Sequence, residues 1–239
     1  MRRRWPLFPI IGLALLSAPA PTDPHTKTIA LSSIELPDAA LVDSNWIRLD
    51  ASARATFDSA AHHWLDSLIT VGLRDAGLHV LPSPIAAGIW RRLVDSVQGF
   101  YDPLTGALVE EEYRAVVLGT ARALRAQHGA DAWVRPRVEL VPVAFRGGSV
   151  QWDGTSEGLG ARLKGRSSAT SIVVELIDST GMPRASGRGG LKALVHAPSG
   201  RPERVAWTSI FVDQKRNHRA VTLALETVIE YLAGGEPQR

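Results

Sequence analysis

Asp58, His62, His63 and Asp66 are the residues whose types and spacing come nearest to metal chemistry. Asp58, His62 and Asp66 are four apart, so on a helix they form one row. Imidazole and carboxylate groups at that spacing can ligate zinc or another divalent ion. The same helix turns Asp66 roughly 180° away from Phe57, on the side opposite the apolar stripe. A third strong ligand would have to come from elsewhere in the fold. The row reads as a solvated polar face, and no metal or other cofactor is expected. Gly154-Thr155-Ser156-Glu157-Gly158 matches the G-x-S-x-G of a nucleophile elbow, which needs a strand before it and a helix after it. Residues Leu159 to Gly165 carry no helical stripe, so the match reads as a turn. The chain has no Walker loop, no dinucleotide fingerprint, no calcium loop and no His-Glu-x-x-His. It has no cysteine, which excludes disulfides, thiolate nucleophiles and iron–sulfur clusters. No catalytic residue is assigned.

Recognition is better represented than catalysis. Trp46, Trp90 and Trp152 fall in or near loops, and Arg146, Arg162, Arg166 and Arg188 neighbour glycine-rich turns. Trp and Arg are the side chains favoured at binding hot spots. The segment from 146 to 166 interrupts the strand pattern and is rich in glycine, which stability alone explains poorly. It is locally basic, with Arg146, Arg162, Lys164 and Arg166 set against Asp153 and Glu157. Arg146, Trp152, Asp153, Arg162 and Arg166 are therefore the candidate interaction surface. The competing reading is an insertion with no role.

The elements that would position these groups follow the order β-α-β-α-α-β, then a strand-rich run, then a helix, with no internal repeat. The pattern predicts a strand from Thr28 to Leu36 and a long helix from about Ser52 to Ala76, stopped by Gly77. A short strand ends at Pro82, and Pro84 opens a second helix. From Glu110 the residues Tyr113, Val116, Val117, Thr120, Ala121 and Leu124 make one apolar stripe. Three glutamates sit in that helix's first turn, and Gly129 follows it. Residues 131–145 read as a strand, at an edge or bulged because of Pro136 and Pro142. Ser171 to Asp178 is nearly continuously apolar, as in a strand buried on both faces. Strands at about 184–196 and 204–212 follow, then a helix from an Asn217 N-cap to Leu232. The predicted class is α+β (mixed α/β): one mixed sheet of about four to six strands with three or four helices packed on it.

Arg2 to Arg4, the apolar run Leu7 to Leu16 and Ala18-Pro19-Ala20 have the three parts of a secretory signal. Residues 1–20 are read as that signal, 21–26 as a linker, 27–233 as a single domain and 234–239 as a tail. Pro19 stands where a lipoprotein signal needs its cysteine, so no lipid anchor is expected, nor a transmembrane segment once the signal is cut. The formal net charge is +3, of which residues 1–26 supply +2. The remaining +1 is too small to point to a nucleic-acid partner.

Three pieces together carry a resemblance. They are Leu73-Arg74-Asp75-Ala76-Gly77-Leu78-His79-Val80-Leu81, then Gly129-Ala130-Asp131-Ala132-Trp133-Val134, then Val174-Glu175-Leu176-Ile177-Asp178-Ser179-Thr180-Gly181. This resembles the bacterial envelope proteins that share an anticodon-binding-domain-like α/β fold. That group includes the TolB amino-terminal domain, the curli-secretion lipoprotein and the lipoprotein activators of penicillin-binding proteins. The resemblance covers about residues 27–233. It departs in lacking the lipobox cysteine, in Pro136, and in residues 146–166. It implies a domain that acts by binding partners, and no catalytic residue carries over.

The resulting expectation is an exported, non-enzymatic accessory domain that binds an envelope protein or peptidoglycan-associated partner. The alternatives are an exported hydrolase or metal-dependent enzyme with a site on loops, and a glycan-binding module using exposed Trp. Export itself is open to N-terminal sequencing. Mature protein from an extracytoplasmic fraction is expected to begin between about Ala18 and His25, and an intact Met1 in the cytoplasm would overturn this.

Overall fold

The computed structural model describes residues 26–35, 64–104, 108–145, 148–158, 165–194 and 211–234. The export segment, Trp46, Asp58, His62, His63 and residues 204–210 of the strand expected at 204–212 lie outside them, while 211–212 are not strand. In chain order the elements are β1 (Thr28–Leu31), α1 (helical residues 64–75), β2 (His79–Leu81), α2 (Ser83–Ser96) and α3 (Glu110–His128). Then come β3 (Ala132–Phe145), β4 (Ser149–Trp152), β5 (Thr155–Gly158), β6 (Gly165–Asp178), β7 (Pro183–Leu194) and α4 (Gln214–Leu232).

Local rules explain most of the boundaries. Gly77 and Gly129 both take the left-handed conformation, at φ 80° and 66°, which only glycine adopts without a Cβ penalty. Each ends its helix by donating its N–H back to the last turn, to Arg74 and Arg125. Pro84 lies in the first turn of α2, where its missing N–H has no helical partner to lose. Asp131 then receives the first free N–H of β1, from Thr28, at 2.9 Å. The Gly-Ala-Asp sequence thus stops a helix, buries a small side chain and ties β3 to β1. The start of α4 differs from the expectation. Asp213 is the N-cap and accepts from the Arg216 N–H at 3.0 Å, while Asn217 lies one turn inside, fully buried.

The strands form a five-stranded mixed sheet in the order β2-β1-β3-β6-β7, with β4 and β5 as a separate hairpin. β1 is parallel to β2 and to β3. β3 pairs antiparallel with β6 from Ala132 opposite Asp178 to Phe145 opposite Gly165, and β6 with β7. The prolines predict an edge or bulged position for β3. It is interior at its start, between β1 and β6, and past the Glu35–Arg137 bridge it pairs, among the described residues, with β6 alone. The prolines fit because of their parity. The Pro136 carbonyl accepts from Glu35, so its missing N–H faces that side, away from the β6 ladder. Pro142 points the same way, where no described strand lies.

Helices cover both faces. On one, Leu65, Ile69 and Leu73 of α1 and Val221, Leu225 and Val228 of α4 pack on Ile29, Val134, Ile172, Val174 and Leu176. On the other, Ala86 and Ile89 of α2 and Val117, Ala121 and Leu124 of α3 pack on Ala30, Trp133 and Ile177. Consecutive β6 residues Ile172, Val173 and Val174 are all fully buried, as their unbroken apolar run predicts. Among the described residues no helix is long and apolar enough to cross a membrane.

α4 lies unusually close to β7. Gly187 and Gly189 face Ala224 and Ala220, and a Cβ on either glycine would run into the helix backbone. Small residues on both sides let the two backbones approach. Gly189→Ala is therefore expected to destabilise the fold by about 1–3 kcal/mol or more, because backbone cannot give way as a side chain can. Gly88→Ala on α2, where nothing lies within 4 Å of the added methyl, is expected to stabilise by roughly 0.5–1 kcal/mol. Urea melts of the two variants check both signs.

Candidate functional site

β3 alternates strictly past its first residue. Ala132, Val134 and Val138 face the α1–α4 layer, so Trp133, Arg135, Arg137 and Glu139 face the other way. Trp133 is covered by α2 and α3 and donates its Nε1–H to Ser32 Oγ at 2.6 Å. Arg135 comes next along the strand and is only 4% exposed. Its Nη1 donates to the Tyr113 hydroxyl at 2.5 Å and its Nη2 to Glu35 Oε1 at 2.6 Å. Its Cζ lies 4.9 Å from the ring centre of Trp90, 5.1 Å from Trp133 and 5.5 Å from Tyr113. Trp90 in turn meets Phe100 and Tyr113 edge-on, at 6.2 and 6.0 Å. Burial works against the Arg135 cation. The Glu35 carboxylate, then Tyr113, outweigh it and raise the pKa above its ordinary value, so the charge is locked in. Arg135 Nε has no hydrogen-bond partner among the described residues.

Two clefts flank this side chain. The first, of about 430 Å³, lies between α2 and the residues after β1, lined by Ile34, Trp90, Val94, Phe100, Tyr101 and Leu108 among others. The second, of about 600 Å³, lies between α3 and the β6–β7 turn and includes Val117, Leu118, Ile177, Met182 and Glu175. Arg135 and Tyr113 line both, so they form the wall between the two. Tyr101 and Leu108 at the first cleft, and Met182 at the second, are large apolar side chains left exposed.

Further along the same face the charges pair with one another. Arg137 bonds Glu139 at 2.7 Å and Glu175 at 3.3 Å. Arg188 bonds Glu139 at 2.8 Å and reaches Asp153 at 3.5 Å.

The residues singled out from the sequence fall elsewhere. Arg146 and Arg162 lie outside the described residues. Arg166 is in β6, its backbone opposite Ala144. Trp152 is buried against Val143, Val150, Ala169 and Ala193 and donates Nε1–H to the Thr170 carbonyl at 3.2 Å. Asp153 sits at φ 37° in the β4–β5 turn and accepts from Ser171 Oγ at 2.5 Å. The short strand and turn that the glycines around Trp152 mark are thus half of a hairpin fastened to the sheet. Its fit depends on Gly190, where a Cβ would stand 2.7 Å from the Trp152 indole nitrogen. Of the tryptophans placed near loops, Trp90 lies within α2 and lines the first cleft, half-buried, while Trp152 turns inward and is buried. Ser156 of the G-x-S-x-G match is exposed on β5, and Asp66 accepts from Ser83 Oγ at 3.2 Å. Sequence reasoning missed Arg135, Glu35 and Tyr113 as a group. The available signal was the run Trp133-x-Arg135-x-Arg137-x-Glu139, which puts charges on a strand whose other face is apolar.

No family model matches the sequence, and no curated protein matches it. Among solved structures, it is similar to the lipoprotein GNA1162 from Neisseria meningitidis at 16% identity and a TM-score of 0.29. That match covers 73% of this chain and 88% of the other.

The turn beside the second cleft carries a pH signature. Burial tends to raise the pKa of Asp178. Four hydrogen bonds outweigh it: from the Thr180 hydroxyl, the Met182 N–H, Arg184 Nε and the Thr180 N–H. The net result is a fall from 3.8 to about 2. A carboxylate whose pKa is lower in the folded state adds stability that is complete above the unfolded value and lost as the pH falls. The parent is therefore expected to lose stability between about pH 4 and 2 more steeply than Asp178→Asn. Urea midpoints across that range measure it, and identical slopes would remove Asp178 as the cause.

Proposed function

We propose that this chain is an exported, non-enzymatic accessory domain that binds a protein partner in the cell envelope through the double cleft around Arg135 and Tyr113. The observation that carries the reading is a permanently charged guanidinium between two apolar clefts whose rims expose Tyr101, Leu108 and Met182. Tyr, Trp and Arg in a desolvated pocket are the composition of binding hot spots. A cation held above its ordinary pKa cannot trade protons near neutral pH, so Arg135 suits recognition and not acid–base work. The envelope as location is supported by the three-part signal of residues 1–20 and by the resemblance carried at Leu73–Leu81, Gly129–Val134 and Val174–Gly181.

The test is site-directed photocrosslinking in cells that export the chain. Leu104, 94% exposed in the turn beside the first cleft, is replaced by a photoreactive residue. A discrete adduct with an envelope protein is expected, and Ala87→Phe, which fills the cleft from α2, is expected to abolish it. An adduct indifferent to the filled cleft, or equally strong from Gln151 on the β4–β5 hairpin, overturns the proposal.

A further inference from the structure

We infer that the first cleft takes an amphipathic carboxylic acid, with an apolar or aromatic group in the cavity and its carboxylate received by Arg135. The inference rests on the cleft being the partner site and names what it holds. About 430 Å³ lies within the range of roughly 300–1,000 Å³ typical of small-molecule sites. Ile34, Val94, Phe100 and Leu108 give it apolar walls, and the Trp90 and Tyr113 rings supply flat faces.

The polar groups are few and biased. Arg91 and Arg135 stand against Glu35, one positive charge in excess, which favours an anion. Arg135 has five N–H donors in a planar fork suited to a carboxylate. Glu35 engages it through one oxygen on Nη2, Tyr113 takes Nη1, and the buried Nε–H has no acceptor among the described residues. A ligand carboxylate that replaces Glu35 on this fork keeps a charge-assisted hydrogen bond at a site already largely desolvated. Glu35 is no obstacle, since its side chain is 47% exposed and can turn to water. A neutral amide of the same shape lacks the charge that this fork selects.

The carboxylate can belong to a free acid or to the last residue of a peptide; the chemistry is the same. Titration calorimetry with the full mature chain separates the two. The probes are N-acetyl-L-phenylalanine and an octapeptide ending in phenylalanine, each compared with its C-terminal amide. The acid forms are expected to bind at least about tenfold more tightly than the amides. Comparable affinity of the two acids identifies a free acid as sufficient, and a much tighter peptide identifies a chain terminus; both support the site. Arg135→Met is expected to erase the acid preference. Should that variant fail to fold, Ala87→Phe, which leaves Arg135 with Glu35, is expected to weaken the acid by about tenfold or more. Equal binding of acid and amide, no binding at millimolar acid, or acid binding unchanged by Ala87→Phe overturns the inference. A cleft that still captures its partner from Leu104 in that case shows that the ligand class was wrong and the partner reading stands. Loss of the Leu104 adduct's dependence on the cleft, with acid binding intact, shows the reverse.

Discussion

Arg135 keeps a full charge with 4% of its surface in water, and that constraint shapes one side of the molecule. Desolvating a cation costs several kcal/mol even after relaxation. Here Glu35, half in solvent, and the Tyr113 hydroxyl together outweigh that cost. Three ring faces add to this, each worth about 0.5–2 kcal/mol to a desolvated cation. One ring comes from α2, one from α3 and one from β3 itself. The positions of both helices over the sheet are thus set by a charge as well as by apolar fit. Trp90 meets Phe100 and Tyr113 edge-on, at 85° and 73°, a favoured aromatic arrangement, and the two clefts share Arg135 and Tyr113 as their wall.

The frame that carries this arrangement is the β3–β6 ladder. It is longer than the helical layers that cover it. Near Trp133 and Ile177 the α2–α3 face is sealed by helices. At the far end, Val143 and Ala169 are sealed by the β4–β5 hairpin through Trp152. Between the two lids the sheet face carries Arg137, Glu139, Glu175 and Arg188. Hydrogen bonds across the strands hold the ladder regardless of side-chain polarity, so this middle stretch tolerates charges. On the opposite face α1 and α4 cover the sheet from Val134 to Val138 with Leu, Ile and Val.

Periodicity and punctuation made the frame legible. The stripe from Val116 to Leu124, the glycines at 77 and 129 and the unbroken run in β6 depend on nearest-neighbour physics, which a sequence displays directly. The element order and the mixed sheet followed from them. What the sequence hid depends on pairing across the fold. The prolines of β3 argue for an edge or a bulge, and only the register shows that their missing N–H groups point away from β6. The turns at Gly147-Gly148 and Asp153-Gly154 mark a short strand with Trp152, which is β4; its inward packing was hidden, because Gly190, far along the chain, makes room for that indole. Asn217 resembled an N-cap, and Asp213, four residues earlier, took the role. Arg135 was passed over because one arginine in a strand carries no signal until Glu35, Trp90 and Tyr113, distant in sequence, are brought around it.

The distribution of charge also bears on where recognition can occur. An overall excess of basic residues invites the view that arginine-rich segments form the binding surface. On the open sheet face that view fails on geometry. Arg137 and Arg188 share Glu139, and Glu175 and Asp153 complete an alternating strip. Such a strip is nearly neutral to an approaching partner and weakly attractive at physiological salt. Arg135 differs in three respects. It is desolvated, it is held above its ordinary pKa, and it has a donor without an acceptor among the described residues. Electrostatic interactions there are screened least, and the adjoining surface is apolar. One buried guanidinium therefore offers more to a partner than the several paired arginines on the surface, which is the physical ground for proposing the wall between the two clefts as the binding site.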